Sequence, residues 1–187
     1  MKKLRILTTM ALATILWAAC NKDETKTSPE DPENEFMTTV RLVATNDADA
    51  SDVQTASWVK LDPTDTAAPD LSNATLNLKA NANYTLTVAF LDQSQTPEED
   101  LTEEIWERRN YHLVCFEPAA ALDVQITSTD HDDNAGQYRV GLTNALVTGA
   151  VSSGDLEVTL HHQPNVKNGD CAPGSVDADV HFTVNIQ

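Results

Sequence analysis

Two histidines and two glutamates pose the first chemical question. His112 and His162 each stand at the end of an alternating apolar run, and Glu103 and Glu107 lie four residues apart just upstream of His112. A spacing of four puts both carboxylates on one helix face. Two imidazoles with a carboxylate are a plausible ligand set for Zn²⁺ or another transition metal. The same residues also suit a plainer role, as hydrogen-bonded histidines that fix a helix against a sheet.

A second cluster, Asp130-His-Asp-Asp-Asn134, carries oxygen side chains at alternate positions: Asp130, Asp132 and Asn134. That resembles the opening of a Ca²⁺ loop. An EF-hand loop needs Gly at its sixth position and Glu at its twelfth, where this chain has Ala135 and Gly141. It is therefore not an EF-hand, and the choice is between a looser Ca²⁺ site at a hairpin tip and an Asx-rich turn. His161 and His181 fall on polar faces and are expected to be solvated cross-strand neighbours. For catalysis there is no Gly-x-Ser-x-Gly, no His-Glu-x-x-His and no phosphate-binding glycine loop. A non-enzymatic domain is expected, with a metal-dependent enzyme at His112 and His162 as the third reading.

The cysteines divide by position. Lys2, Lys3 and Arg5 precede an apolar run, Ile6 to Ala19. That run is shorter than the roughly 20 residues a membrane-spanning helix needs, and reads as a secretory signal. It ends Leu16-Trp-Ala-Ala-Cys20, which resembles a bacterial lipobox, although Trp17 stands where Leu is usual. Residues 1–19 would be removed and Cys20 would carry acyl chains such as palmitate, enough to anchor the chain durably in a membrane. Residues 20–35 contain no apolar residue beyond Cys20 and read as a disordered tether. Asn21-Lys-Asp-Glu24 resembles a surface-export signal, which would place residues 36–187 outside the outer membrane. In that oxidising setting Cys115 and Cys171 either form a disulfide or remain a buried thiol and an unrelated loop thiol.

Elements must position these groups. From Phe36 the apolar period is two, the mark of strands with one face in a core. Val40, Leu42 and Ala44 begin it. After a polar loop, Asn46 to Asp52, a short segment runs from Ala56 to Leu61. Ala74 to Ala80 and Tyr84 to Phe90 read as a hairpin about an Asn81–Asn83 turn. Thr96-Pro-Glu-Glu reads as a helix start, predicting a helix from Pro97 to about Arg109 with Leu101 and Ile105 inward. Tyr111 to Phe116 is apolar on both faces and reads as a central strand. Leu122 to Ile126, Tyr138 to Leu142, Leu156 to Leu160 and Ala178 to Ile186 follow. With about nine amphipathic strands and short loops, the expectation is an antiparallel, immunoglobulin-like β-sandwich with one short helix; a closed barrel is the alternative.

The 187 residues carry a formal charge of −17, more negative still once Lys2, Lys3 and Arg5 are removed. That excludes the basic surface nucleic acids require. The stretches Leu101–Phe116, Leu160-His-His162-Gln-Pro164 and Asp179–Ile186 resemble a family of uncharacterised Bacteroidetes-type surface lipoproteins. In that family an acidic helix leads into a His-containing strand, and a later strand ends Leu-x-His-Gln-Pro; His112 and His162 match its two histidines. The resemblance implies a lipid-anchored surface protein of this fold. The function expected for it is non-enzymatic binding of a ligand, with a metal or metal complex as the candidate, beside an outer-membrane receptor. A structural or adhesive sandwich with no small-molecule site is the alternative.

Overall fold

The structure, a computed structural model, describes residues 37–62 and 64–187. The segment expected to be a signal, Cys20 and the expected tether lie outside the described residues. The rest is an all-β sandwich. One sheet contains β1 (Thr39–Asn46), β2 (Asp49–Val59), β4 (Asn83–Asp92), β5 (Glu99–Asp100), β7 (Val124–Ser128) and β8 (Thr143–Thr148). Its order is β2-β1-β4-β8-β7, with β5 also paired to β4. The other sheet contains β3 (Thr75–Leu78), β6 (His112–Pro118), β9 (Ser152–His162) and β10 (Ser175–Ile186), in the order β3-β10-β9-β6. Among the described residues, the β3–β10 pair is the one parallel pairing.

The period-two pattern predicts which side chains meet between the sheets. Val40, Leu42 and Ala44 of β1 and Tyr84, Leu86, Val88 and Phe90 of β4 are buried from one side. Leu156, Val158 and Leu160 of β9 and Val180, Phe182, Val184 and Ile186 of β10 face them in the same core. Removing that apolar surface from water is the main stabilising term, about 1.5–3 kcal/mol for each large side chain fully buried. Tyr84 joins the core because its hydroxyl accepts a hydrogen bond from the Lys79 amide at 2.8 Å.

Several local expectations are corrected. Ala74–Ala80 and Tyr84–Phe90 do not form a hairpin: β3 pairs with β10 in one sheet and β4 lies between β1 and β8 in the other. The chain changes sheets at Asn81, whose φ of 53° is left-handed, a conformation Asn tolerates better than most residues. The expected loop from Asn46 to Asp52 is a two-residue turn at Asp47–Ala48, and β2 starts at Asp49. The helix is shorter than predicted, Thr102–Glu107 (α1). Upstream, Glu99 and Asp100 pair with β4, and Leu101 donates its amide to the Phe90 carbonyl at 2.9 Å. Those backbone groups are engaged by the sheet and cannot begin a helix at Pro97. The inward pair is as expected, with Leu101 and Ile105 both buried.

β6 lies at a sheet edge rather than in the centre. Its two apolar faces have separate causes. Val114 faces the core, while on the other face Leu113 and Cys115 are buried and Cys115 is bonded to Cys171 of the loop after β9. The Tyr138–Leu142 segment is not a regular strand. It crosses beside β6, and its Val140 carbonyl accepts the Val114 amide at 2.7 Å, closing part of that open edge.

Candidate functional site

His112 opens β6 and His162 closes β9, and the antiparallel register sets them directly opposite. The rings stack with centroids 5.0 Å apart and 21° between their planes. His112 is buried, follows the end of α1, and its Nδ1 has no partner among the described residues. Burial, then the neighbouring His162, pushes its pKa down to about 4, against a hydrogen bond with the Arg108 backbone that favours the proton. The ring is therefore neutral near pH 7 and a weak base, poorly matched to general-base catalysis.

The two histidines thus converge as the sequence suggests, but the metal set is not assembled. Among the described residues no three His, Cys, Asp or Glu side chains gather where one ion could be held. Glu103 and Glu107 line a shallow groove with Glu99, Asp100 and Glu104 instead. Their carboxylates sit with other carboxylates along an acidic helix face.

In the loop read as a Ca²⁺ site, the side-chain oxygens are engaged by the protein's own groups. Asp130 accepts the amides of Gly141 at 2.7 Å and Thr143 at 2.8 Å, one on each oxygen. Asp132 is fully buried and accepts the Asn134 and Tyr138 amides. Its second oxygen takes the Asn134 side-chain amide at 2.8 Å and the Lys167 ammonium at 3.0 Å. Lys167, with a side chain 1% exposed, also donates to the Arg109 carbonyl at 2.7 Å. The protein's own ammonium occupies the position a cation would take. At Asp132 burial favours the neutral acid, but Lys167 and Asn134 outweigh it and hold the carboxyl below its usual range.

This network joins three loops at the end of the sandwich where His112 and His162 lie. Asn134 donates to the Asn110 carbonyl at 3.2 Å, and the Asn110 side chain accepts the Asp133 amide at 2.8 Å. Arg109 pairs with Asp133 at the rim and packs over the Trp106 ring at 4.8 Å. Gln163, fully buried, donates its amide to the Asp170 and Pro173 carbonyls, both at 2.8 Å, and so folds the third loop back on itself. Between the loops is a polar cleft of about 400 Å³, lined by Asn110, Tyr111, Asn134, Tyr138, Asn165 and Lys167 among others.

The Cys115–Cys171 disulfide is formed, with Cα atoms 6.3 Å apart. It ties the third loop to β6. Arg139 extends along it, with Nη2 3.0 Å from the Cys171 sulfur and Nε donating to the Gly169 carbonyl at 3.1 Å.

His161 and His181 are not neighbours, since His161 pairs with Val176 and His181 with Glu157. His161 is buried rather than solvated, with Nε2 2.9 Å from the Thr159 hydroxyl, and burial pushes its pKa down. His181 is exposed as expected. Its hydrogen bond to Asp155 raises its pKa.

Sequence reasoning missed Lys167 and the cleft asparagines. One signal was present, because Lys167 is the only Lys or Arg after Arg139 in a strongly acidic chain. No family model, curated protein or solved structure matches the chain. The chemistry of the site therefore has to be read from its own residues.

Proposed function

We infer that this is a non-enzymatic ligand-binding protein, held at the outer-membrane surface by lipid on Cys20 and taking its ligand in the three-loop cleft. The observation that carries this reading is the fully buried Asp132–Lys167 pair, which braces all three loops around an open polar cleft. A cleft whose walls are fixed beforehand binds without the cost of ordering its loops. The nearby histidine does not supply an effective base at neutral pH, which favours binding over turnover. The lipobox-like Cys20 and the acidic residues that follow it support the location, and the acidic charge favours projection into the medium.

Native mass spectrometry of the protein isolated from its own membrane tests this. The wild type should carry a non-covalent adduct that Ala135→Trp, which fills the cleft from an exposed loop position, releases without a change in Tm. Identical spectra for the two proteins would leave the adhesive reading, with no small-molecule site, in its place.

A further inference from the structure

We propose that the cleft takes a neutral saccharide, with Tyr111 as the platform for a sugar ring and Asn110, Asn134 and Asn165 as its hydrogen-bonding frame. The inference rests on the ligand-binding reading of the same cleft and adds the class of ligand.

Charge decides the first step. The chain is strongly acidic, yet the ions at this site are paired. Lys167 is bound to Asp132 and to the Arg109 carbonyl, and Asp133 is bound to Arg109. Among the described residues of the cleft, an anionic ligand finds no uncommitted cation and a cationic ligand finds no uncommitted carboxylate. The side chains left to face a ligand are neutral donors and acceptors.

Those groups have spare capacity. The Asn110 side-chain oxygen is engaged by Asp133, but its amide nitrogen makes no hydrogen bond among the described residues. Asn134 uses its nitrogen on Asp132 and Asn110, and its oxygen accepts nothing there. Asn165 is exposed, its side chain is uncommitted, and a left-handed backbone with φ of 61° fixes its place in the turn. Carboxamides offer donors and an acceptor together, the pattern that adjacent hydroxyl groups on a sugar require.

Shape decides the second step. Tyr111 is 37% exposed at the cleft. A phenol ring presents a flat apolar face with a polar tip, which suits a pyranose whose C–H face is apolar and whose rim is hydroxylated. Tyr138 also lines the cleft, and its ring packs closely on Gly136, where a side chain would collide with it. The volume of about 400 Å³ lies at the small end of ligand sites.

The test is titration of the ¹⁵N-labelled full chain with maltotriose, cellotriose and triacetylchitotriose, with trigalacturonate as the charged control. At least one neutral trisaccharide should shift the side-chain amide signals of Asn110, Asn134 and Asn165 saturably. Trigalacturonate should bind at least about tenfold more weakly, and Tyr111→Ala should weaken the neutral sugar by about tenfold or more, a difference of about 1.4 kcal/mol. Asn165→Gly, which removes the carboxamide and adopts the left-handed φ freely, should weaken it with little change in Tm and serves if Tyr111→Ala folds poorly. The proposal is overturned if no neutral trisaccharide shifts these amides. It is equally overturned if Tyr111→Ala and Asn165→Gly both bind as wild type, or if the shifts fall at the Trp106 indole. A native adduct lost in Ala135→Trp, with no sugar binding, would reject the ligand class and keep the site; absence of both would reject the two readings together.

Discussion

At the scale of single residues, the Asp132–Lys167 pair and His112 give the sharpest expectations. Breaking a buried pair leaves one charge without compensation, which costs about 3–5 kcal/mol. Asp132→Ala should therefore lose that much stability in urea unfolding. Asp132→Asn/Lys167→Met should lose less, because neither charge remains buried and the substituted carboxamide oxygen can still accept the Asn134 and Tyr138 amides. The Asp132 pKa is lower folded than unfolded, so its contribution is complete above the ordinary value of 3.8 and fades as pH falls below it. His112 acts over a higher window. With a folded pKa of about 4 against 6.5 unfolded, the unfolded chain takes up the proton first. Stability should be complete above pH 6.5 and fall by about 3 kcal/mol as pH drops to 4. Chemical denaturation across that range should show the slope in wild type and its loss in His112→Phe. The convergence of His112 and His162 was legible because both end apolar runs whose pairing sets them opposite. Lys167 was not, because nothing local in a sequence links it to an aspartate in a distant loop.

At the scale of elements, alternation showed which residues face inward but not which strand is the neighbour. Ala74–Ala80 and Tyr84–Phe90 look like a hairpin because their patterns match and a turn separates them, yet each pairs in a different sheet. β8 escaped notice for another reason. Its inward positions are Asn144, Leu146 and Thr148, so two of three are polar. They face inward to satisfy the backbone: Asn144 donates to the Gly141 carbonyl at 2.8 Å, and Thr148 donates to the Lys79 carbonyl at 2.7 Å. Asn144→Leu should leave a buried carbonyl unpaired and cost about 1–3 kcal/mol, measured by thermal unfolding at neutral pH. The helix was anticipated in kind but not in length, because pairing of Glu99–Asp100 with β4 competes with a start at Pro97. The disulfide joins cysteines 56 residues apart. Closing so long a loop removes unfolded-state freedom worth about 4 kcal/mol in the chain-entropy model. Cys115→Ser/Cys171→Ser should show a loss of that order in urea.

At the scale of the whole molecule, two packed sheets carry a braced cleft at one end, and the net charge of −17 disfavours approach to anionic surfaces. The proposed lipid anchor makes its own prediction: mass spectrometry of the mature protein should find an acylated Cys20 at its N-terminus, and protease treatment of intact cells should remove the domain. The most direct test of the central claim is hydrogen exchange on the protein carrying its native ligand, compared with the stripped protein. Protection is predicted in residues 108–111, 130–138 and 163–170, the three loops that Lys167 and Asp132 tie together. Protection confined to the acidic groove along α1 or to the outer sheet faces, with those loops unchanged, would contradict it.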